Sequence, residues 1–309
     1  MIMTEQTLRI ATRKSPLALW QANHVGQAIK NQWPHIHIEL VPMVTSGDRF
    51  LKDKLQSVGG KGLFVKELEE ALLDKRADLA VHSMKDVPAL IPQGLEFVAI
   101  CKRDNPLDAF VSQTHASLTQ LPSGSVVGTA SLRRQSQLLA LRPDFIIKPL
   151  RGNINTRLGK LDDGEFNAII LAAAGLERME MNERIADIID TEHMLPACGQ
   201  GALGIECRAN DDELKQILAP LHDRLTGICV DAERRVNALL GGNCHVPLAV
   251  YCSENPDKQL VLRAKVLTLD GTTCLSDQQT GTLAEAARMA DTCANNLLAN
   301  GARELLELQ

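Results

Sequence analysis

The stretch Ala77-Asp78-Leu79-Ala80-Val81-His82-Ser83-Met84-Lys85-Asp86-Val87-Pro88 decides how the rest of the chain is read. Apart from Asp78, residues 77 to 81 form a short apolar run, the signature of a strand buried inside a sheet, and the run breaks into a polar cluster stopped by Pro88. In open α/β sheets, ligands sit in crevices beyond the carboxyl ends of the strands, so Ser83, Lys85 and Asp86 stand where a ligand would lie. The same residues also suit a strand-to-loop turn in which Ser83 and Asp86 satisfy backbone N–H groups, and locally both uses remain open.

Upstream, Leu8 to Ala11 reads as a first strand that ends in Thr12-Arg13-Lys14-Ser15-Pro16, where Ser15 can cap a helix with Pro16 at its first position. A strand running into a helix start with two cations outlines an anion site, although a capped turn with solvated charges has the same local sequence. The helix extends through Ala18, Trp20, Val25 and Ile29 to about Asn31, and a second strand spans 36–44. Residues 45–61 are turn-rich with little periodicity, which predicts a lid with glycine hinges. A helix from about Leu63 to Lys75 then carries Phe64, Leu68, Ala71 and Leu72 at helical spacing.

Downstream, strands near Phe97 to Cys101 and Ala109 to Ser112 flank a crossover at 102–106. Val126-Val127 runs into Gly128-Thr129-Ala130-Ser131-Leu132-Arg133-Arg134, a strand, a small-residue turn and a helix start with two arginines in its first turn. Cations there oppose the helix dipole, and a bound carboxylate would remove the conflict. A further strand, Phe145 to Lys148, ends at Leu150-Arg151-Gly152-Asn153-Ile154-Asn155-Thr156-Arg157, where two more arginines bracket a helix start. Arginine's planar fork suits bidentate carboxylate binding, so the four arginines predict an anion site. Ala168 to Leu171 is another buried strand, and Met194 to Gln200 a connector. A helix over about 221–240, with Arg224, Glu233, Arg234 and Arg235 on its outer face, stops at Gly241-Gly242 just before Cys244-His245. Alternating residues 260–266, the turn Asp270-Gly271 and a capping box from Thr282 to Glu285 complete a small α+β unit.

Bulk properties set limits on function. A chain of 309 residues implies two or three domains, and 45% apolar with 23% charged residues is an ordinary globular profile. No apolar run reaches the length of a membrane span, and Met1 to Gln6 lacks the features of a secretory signal, so a cytoplasmic protein is expected. The eight cysteines show no C-x-x-C pair and no clustering with histidines, which predicts free thiols and no metal site. Those in apolar runs, such as Cys101, Cys207 and Cys252, read as small buried hydrophobes. A net charge of −5 with 3% aromatics argues against a nucleic-acid binder. Charge is uneven, however: Gly128 to Arg157 holds six basic residues against one acid, so an anionic ligand is expected there.

Taken together, residues 82–88, 128–135, 150–157, Gln200-Gly201-Ala202-Leu203-Gly204-Ile205-Glu206 and Cys244-His245-Val246-Pro247 stand in the order found in the porphobilinogen deaminase (hydroxymethylbilane synthase) family. The resemblance covers about residues 7 to 250. It implies an α/β protein with two lobes like those of type II periplasmic binding proteins and a small C-terminal α+β domain. The implied division is 1–101 with 202–219, 102–201, and 220–309, the last carrying the cofactor-attachment cysteine. The implied reaction joins four porphobilinogen molecules head-to-tail into hydroxymethylbilane, releasing ammonia, on a dipyrromethane cofactor bound through a thioether that maps to Cys244. On the matching positions, Ser83, Lys85, Thr129, Ser131, Arg133, Arg134 and Gly152 would bind the cofactor. Arg13, Ser15, Lys61, Phe64, Arg151, Arg157 and Gln200 would bind the substrate, and Asp86 would be the catalytic carboxylate that stabilises a cationic pyrrole. A cytoplasmic monomer is implied, without metal, nucleic acid or membrane. Asn243 replaces the glycine of many relatives, a change compatible with left-handed backbone. The same lobes would also serve a non-catalytic anion receptor, and Cys244-His245 a thiol acyl transferase; a covalent pyrrole adduct separates these readings.

Overall fold

The computed structural model describes residues 6–49, 64–241 and 246–307. It divides into two compact units, Met1–Arg103 with Ala202–Gly227, and Asp104–Gly201 with Ile228–Gln309. The first unit begins with β1 (Gln6–Arg13), α1 (Pro16–Gln32), β2 (Ile36–Met43), the short α2 (Ser46–Arg49), α3 (Lys66–Leu73), β3 (Leu79–Ser83) and β4 (Leu95–Ile100). The second opens with β5 (Asp108–Val111), β6 (Val126–Gly128), α4 (Leu132–Leu141) and β7 (Ile146–Lys148). It continues with α5 (Ile154–Asp162), β8 (Ala168–Ala172), α6 (Ala173–Arg178) and β9 (Asp187–Ile189). The chain returns to the first unit as β10 (Leu203–Arg208) and α7 (Asp212–Leu218), and α8 (Arg224–Leu239) leads out again. Last come β11 (Leu248–Glu254), β12 (Leu260–Leu267), β13 (Cys274–Gly281), α9 (Ala286–Ala299) and α10 (Ala302–Glu307).

The two five-stranded sheets share one plan. The first has the order β2-β1-β3-β10-β4 and the second β7-β6-β8-β5-β9. In each, the three strands at one end are parallel, and the fourth position is held by a reversed strand that the chain supplies just after crossing between units. The two similar lobes that the resemblance implies are thus built on a common strand plan. The return of the chain as β10, implied by the resemblance, is present in the sheet.

Helices cover both faces of each sheet, so the central strands are apolar on both sides. In the first unit Ile10, Leu79, Val81 and Ile205 pack with Val25 and Ile29 of α1, whereas Ala11 and Ala80 pack with Leu68, Ala71 and Leu72 of α3. In the second, Phe110 and Ile170 pack with Leu138 of α4, and Val111, Ile169 and Leu171 with Leu158 and Leu161 of α5. The C-terminal sheet is antiparallel, β11-β12-β13, and Leu260, Leu262, Ala264 and Val266 alternate inward as expected. The Asp270-Gly271 turn joins β12 to β13, with Gly271 at φ 73°, and Thr282 N–H donates to Glu285 Oε2 at 2.9 Å in the capping box ahead of α9.

Several sequence expectations change. The helix expected over 63–75 is α3, ending at Leu73, because Lys75 takes left-handed geometry (φ 58°) and the N–H groups of Arg76 and Ala77 return to Ala71 O. Glu233 is not on the outer face of α8: it is fully buried, where Gly199 N–H and Cys252 N–H donate to its two carboxylate oxygens. Two buried donors hold a carboxylate that periodicity would send to solvent. Cys207 and Cys252 are buried, but Cys101 is only half-buried, because it lies beyond the end of β4. Among the seven described cysteines there is no disulfide, and burial pushes the Cys207 thiol up to about 11 and the Cys293 thiol to about 12. Of the expected lid only Thr45–Arg49 falls within the described residues, and Ser46–Arg49 is helical.

Candidate active site

In the first unit β1 and β3 run parallel side by side, Ala11 opposite Ala80, so their carboxyl ends deliver Arg13 and Ser83 to the same edge. Strand alternation then assigns partners. Leu79 and Val81 face α1, so Ser83 does too, and Gln21 of α1 donates from Nε2 to Ser83 Oγ at 3.0 Å. His82 faces the other way and meets Glu206 of β10, Nε2 to Oε2 2.9 Å, both side chains buried. After Ser83 a single 3-10 turn, Met84–Asp86, closes with Val87 N–H donating to Met84 O and is anchored by the buried Met84. Ser15 caps α1 by accepting from Ala18 N–H at 3.3 Å, and the Arg13 guanidinium lies 4.3 Å from the centre of the Phe64 ring, a cation–π contact.

Arg13, Ser15, Phe64, Ser83 and Asp86 therefore line one cavity of about 60 Å³, together with Gln21 and His82. Lys85, half-buried on the same turn as Asp86, is not among the residues lining it. On α3, Glu69 is raised to about 7, first by burial and then by the Glu206 carboxylate. A larger cavity of about 350 Å³ lies against α1 and β2, lined by Trp20, His24, Lys30 and Leu40 among others, and holds none of the expected site residues.

In the second unit β6 and β7 are parallel neighbours, Gly128 opposite Lys148, so the loops from Thr129 and from Leu150 leave the sheet at the same edge. Thr129 N–H donates to Lys148 O at 3.0 Å. Thr129 Oγ1 accepts from Ser131 N–H at 3.1 Å, and Ser131 Oγ accepts from Arg134 N–H at 3.4 Å, capping α4. Gly152 takes φ 117°, and a Cβ there would come within 2.7 Å of Thr156 Cγ2, so the turn requires glycine. Arg157 donates from Nε to Gly152 O at 2.8 Å, and Arg151 is half-buried beside it in sequence.

Arg133 and Arg134 are only 4% and 6% exposed, and the carboxylate that these cations demand is partly the protein's own. Asp108, fully buried at the start of β5, lies on the α4 side of the strand with Phe110. Its Oδ1 accepts from Arg134 Nε at 3.0 Å and Nη2 at 2.7 Å, and its Oδ2 is 2.8 Å from Arg133 Nη1. Gln200 Nε2 donates to the same Oδ1 at 3.0 Å and to Pro106 O at 2.7 Å. Burial alone would raise the Asp108 pKa, but the two guanidinium charges outweigh it and hold the carboxyl well below the usual range. Further donations run from Arg133 to Leu195 O at 2.7 Å and from Arg134 to Ile170 O at 3.0 Å. Arg133 Nε is buried without a hydrogen-bond partner among the described residues.

The structure thus gathers Arg13, Ser15, Phe64, Ser83 and Asp86 in one unit, and Thr129, Ser131, Arg133, Arg134 and Gln200 in the other. Lys61 and Cys244 lie outside the described residues. Sequence reasoning missed Gln21, Asp108, Glu206 and Glu233. The available signal was a lone polar residue in an apolar run, as in Asp108-Ala109-Phe110-Val111 and Ile205-Glu206-Cys207. Among the described residues no cluster could hold a metal ion, and no helix is long and apolar enough to cross a membrane.

Residues 8–216 match the family model described as porphobilinogen deaminase, dipyromethane cofactor binding domain. The chain belongs to the porphobilinogen deaminase family. The model of the porphobilinogen deaminase C-terminal domain matches residues 227–299. The porphobilinogen deaminases of Legionella pneumophila strains Paris and Lens are each 60% identical over 304 residues, 98% of this chain and 98% of theirs. Among solved structures, the periplasmic VFT2 domain of Bordetella pertussis BvgS is 16% identical with a TM-score of 0.42, covering 70% of this chain and 86% of that one. A TRAP periplasmic solute binding protein from Desulfovibrio salexigens is 12% identical with a TM-score of 0.45, covering 71% and 72%.

Proposed function

We propose that the chain is a hydroxymethylbilane synthase that condenses four porphobilinogen molecules head-to-tail. In each addition the aminomethyl carbon–nitrogen bond breaks, a carbon–carbon bond forms, and the displaced proton leaves with the amine. Within the geometry, the observation that carries this reading is the single cavity in which Asp86 stands with Arg13, Ser15 and Ser83. There the Asp86 carboxylate stabilises the positive charge that develops on a pyrrole ring as ammonia leaves, and holds the proton released at coupling. Arg13, with Lys61 and Phe64 beside it in the substrate set, receives the acetate and propionate arms, and so do Arg151, Arg157 and Gln200 in the second unit.

The cofactor we assign is dipyrromethane, joined through a thioether to Cys244, and it supplies the pyrrole end on which the product is extended. The donors suit its acidic arms: the hydroxyls of Ser83, Thr129 and Ser131, Lys85, the backbone at Gly152, and the buried Nε–H of Arg133, which has no hydrogen-bond partner among the described residues. Asp108 neutralises only part of the charge of Arg133 and Arg134, so the pair still attracts an anion. The protein works as a cytoplasmic monomer with neither nucleic acid nor membrane as partner, and its domains are 1–101 with 202–219, 102–201, and 220–309.

The test is intact mass under denaturing conditions. The purified protein should exceed its translated mass by one dipyrromethane and turn porphobilinogen into hydroxymethylbilane, and Cys244→Ser should fold but carry no added mass. Wild-type protein of translated mass with no product overturns the reading.

A further inference from the structure

The geometry points to Glu233 as a positioning residue for the condensation, one that fixes the Asp108–Arg133–Arg134 cluster relative to the elements flanking Cys244. The inference rests on the function proposed above. Glu233 lies on α8, two turns before its end, and is fully buried. Its Oε1 accepts from Cys252 N–H at 2.9 Å, on β11, and its Oε2 accepts from Gly199 N–H at 2.6 Å, on the connector that returns the chain to the first unit. α8 ends at Leu239 and β11 begins at Leu248, so these are the two elements between which residue 244 falls. One carboxylate therefore joins three segments that are remote in sequence.

The link continues by covalent and hydrogen bonds. Gly199, at φ 69°, is followed directly by Gln200, whose Nε2 holds Asp108 Oδ1, and Asp108 in turn holds both arginines. A second tether meets the same cluster: Gln135 of α4 donates from Nε2 to Leu269 O at 3.3 Å, and the backbone of α4 at Ser136 and Ala140 packs so closely on Gly271 that a Cβ there would collide. If Glu233 served stability alone, the helix would need no carboxylate buried at this depth, where backbone donors offset its lost hydration. Its Oε2 instead sets the position of a connector whose next side chain completes the arginine cluster, while its Oε1 ties that position to β11. An error of about 1 Å in such a link is enough to cost a large factor in turnover, because the acid-binding arginines must align a pyrrole for attack.

The experiment uses the full-length protein with its cofactor. Glu233→Gln keeps the shape but presents an NH2 group to one of the two backbone N–H donors. It should load its cofactor, as read by intact mass, yet lose roughly tenfold in kcat per loaded molecule with KM for porphobilinogen little changed. Gln200→Ala should also be impaired, and the double variant should be no worse than Gln200→Ala alone, since both changes break one path. Normal kcat per loaded molecule with only a lowered melting temperature overturns the inference, as do effects that multiply in the double variant. Should Glu233→Gln fail to fold, Glu233→Asp, which retains the charge but is one methylene shorter, is read in the same way at lower temperature. Loss of fold in both makes Glu233 a purely structural residue and overturns the positioning role. Failure of the underlying function is a separate result, because then the wild-type protein itself lacks added mass and product.

Discussion

The two five-stranded sheets gather polar residues at the carboxyl ends of equivalent parallel strands, yet they treat charge in opposite ways. In the first unit Asp86 and Arg13 line a cavity together, each half-buried, with hydroxyls of Ser15 and Ser83 between the strand ends. In the second, Arg133 and Arg134 are buried and held by an internal carboxylate, Asp108, with Gln200 completing the cluster. The contrast teaches that one strand plan supports two tasks. A carboxylate must face substrate to act on a developing charge, whereas a guanidinium can be locked by a buried partner and still project a field toward an anion.

The largest effect should come from breaking the locked side. Asp108→Ala leaves two buried guanidinium groups uncompensated, and we expect a loss of about 3–5 kcal/mol in urea unfolding. A loss below about 1 kcal/mol would mean that the cluster is not a structural unit. Because the folded Asp108 carboxyl lies below its unfolded value, its contribution is complete above about pH 4 and fades as pH falls toward the folded pKa. Asp108→Asn should therefore flatten the acid limb of the stability curve.

Asp86→Asn probes the other side. Here turnover should fall at least about a hundredfold, equivalent to about 2.7 kcal/mol in the barrier, while the melting temperature stays nearly constant. Near-normal turnover would remove the catalytic role and reduce the contrast to one of packing. Arg151→Ala should weaken chain elongation by roughly tenfold, as expected for loss of one charged hydrogen-bonding partner, with little change in unfolding. A large stability loss with intact kinetics would instead move Arg151 to the locked class.

The smallest effect concerns Glu69. Its folded pKa of about 7 lies above the unfolded value, so the folded state binds the extra proton and stability falls as pH rises from about 4.5 to 7. After allowance for solvent screening the fall should be about 1 kcal/mol, and Glu69→Gln should abolish it. An unchanged slope would show that folding does not raise the Glu69 carboxyl.

Much of the frame was legible because its signals are local. Ser15 with Pro16, Ser131 before Arg134, and Thr282 with Glu285 announce helix starts within four residues, and strand ends such as Ser83 announce themselves by a change from apolar to polar. The partners of buried charges were not legible. Asp108 meets Arg134 across 26 residues and Gln200 across 92, and His82 meets Glu206 across 124, separations that no periodicity encodes. The α8 pattern even sent Glu233 outward, since amphipathic reading treats every carboxylate as solvated.

From the amino-acid order alone, the alternation of strands and helices, the caps, the cation-rich junctions and the family motifs all follow, because each depends on neighbours within a few residues. Tertiary structure alone decided which arginines are locked and which carboxylates are buried. The reason is physical: an ionised group can leave water only when a partner meets it, and here the chain's path through two crossovers, not its local sequence, brings that partner into place.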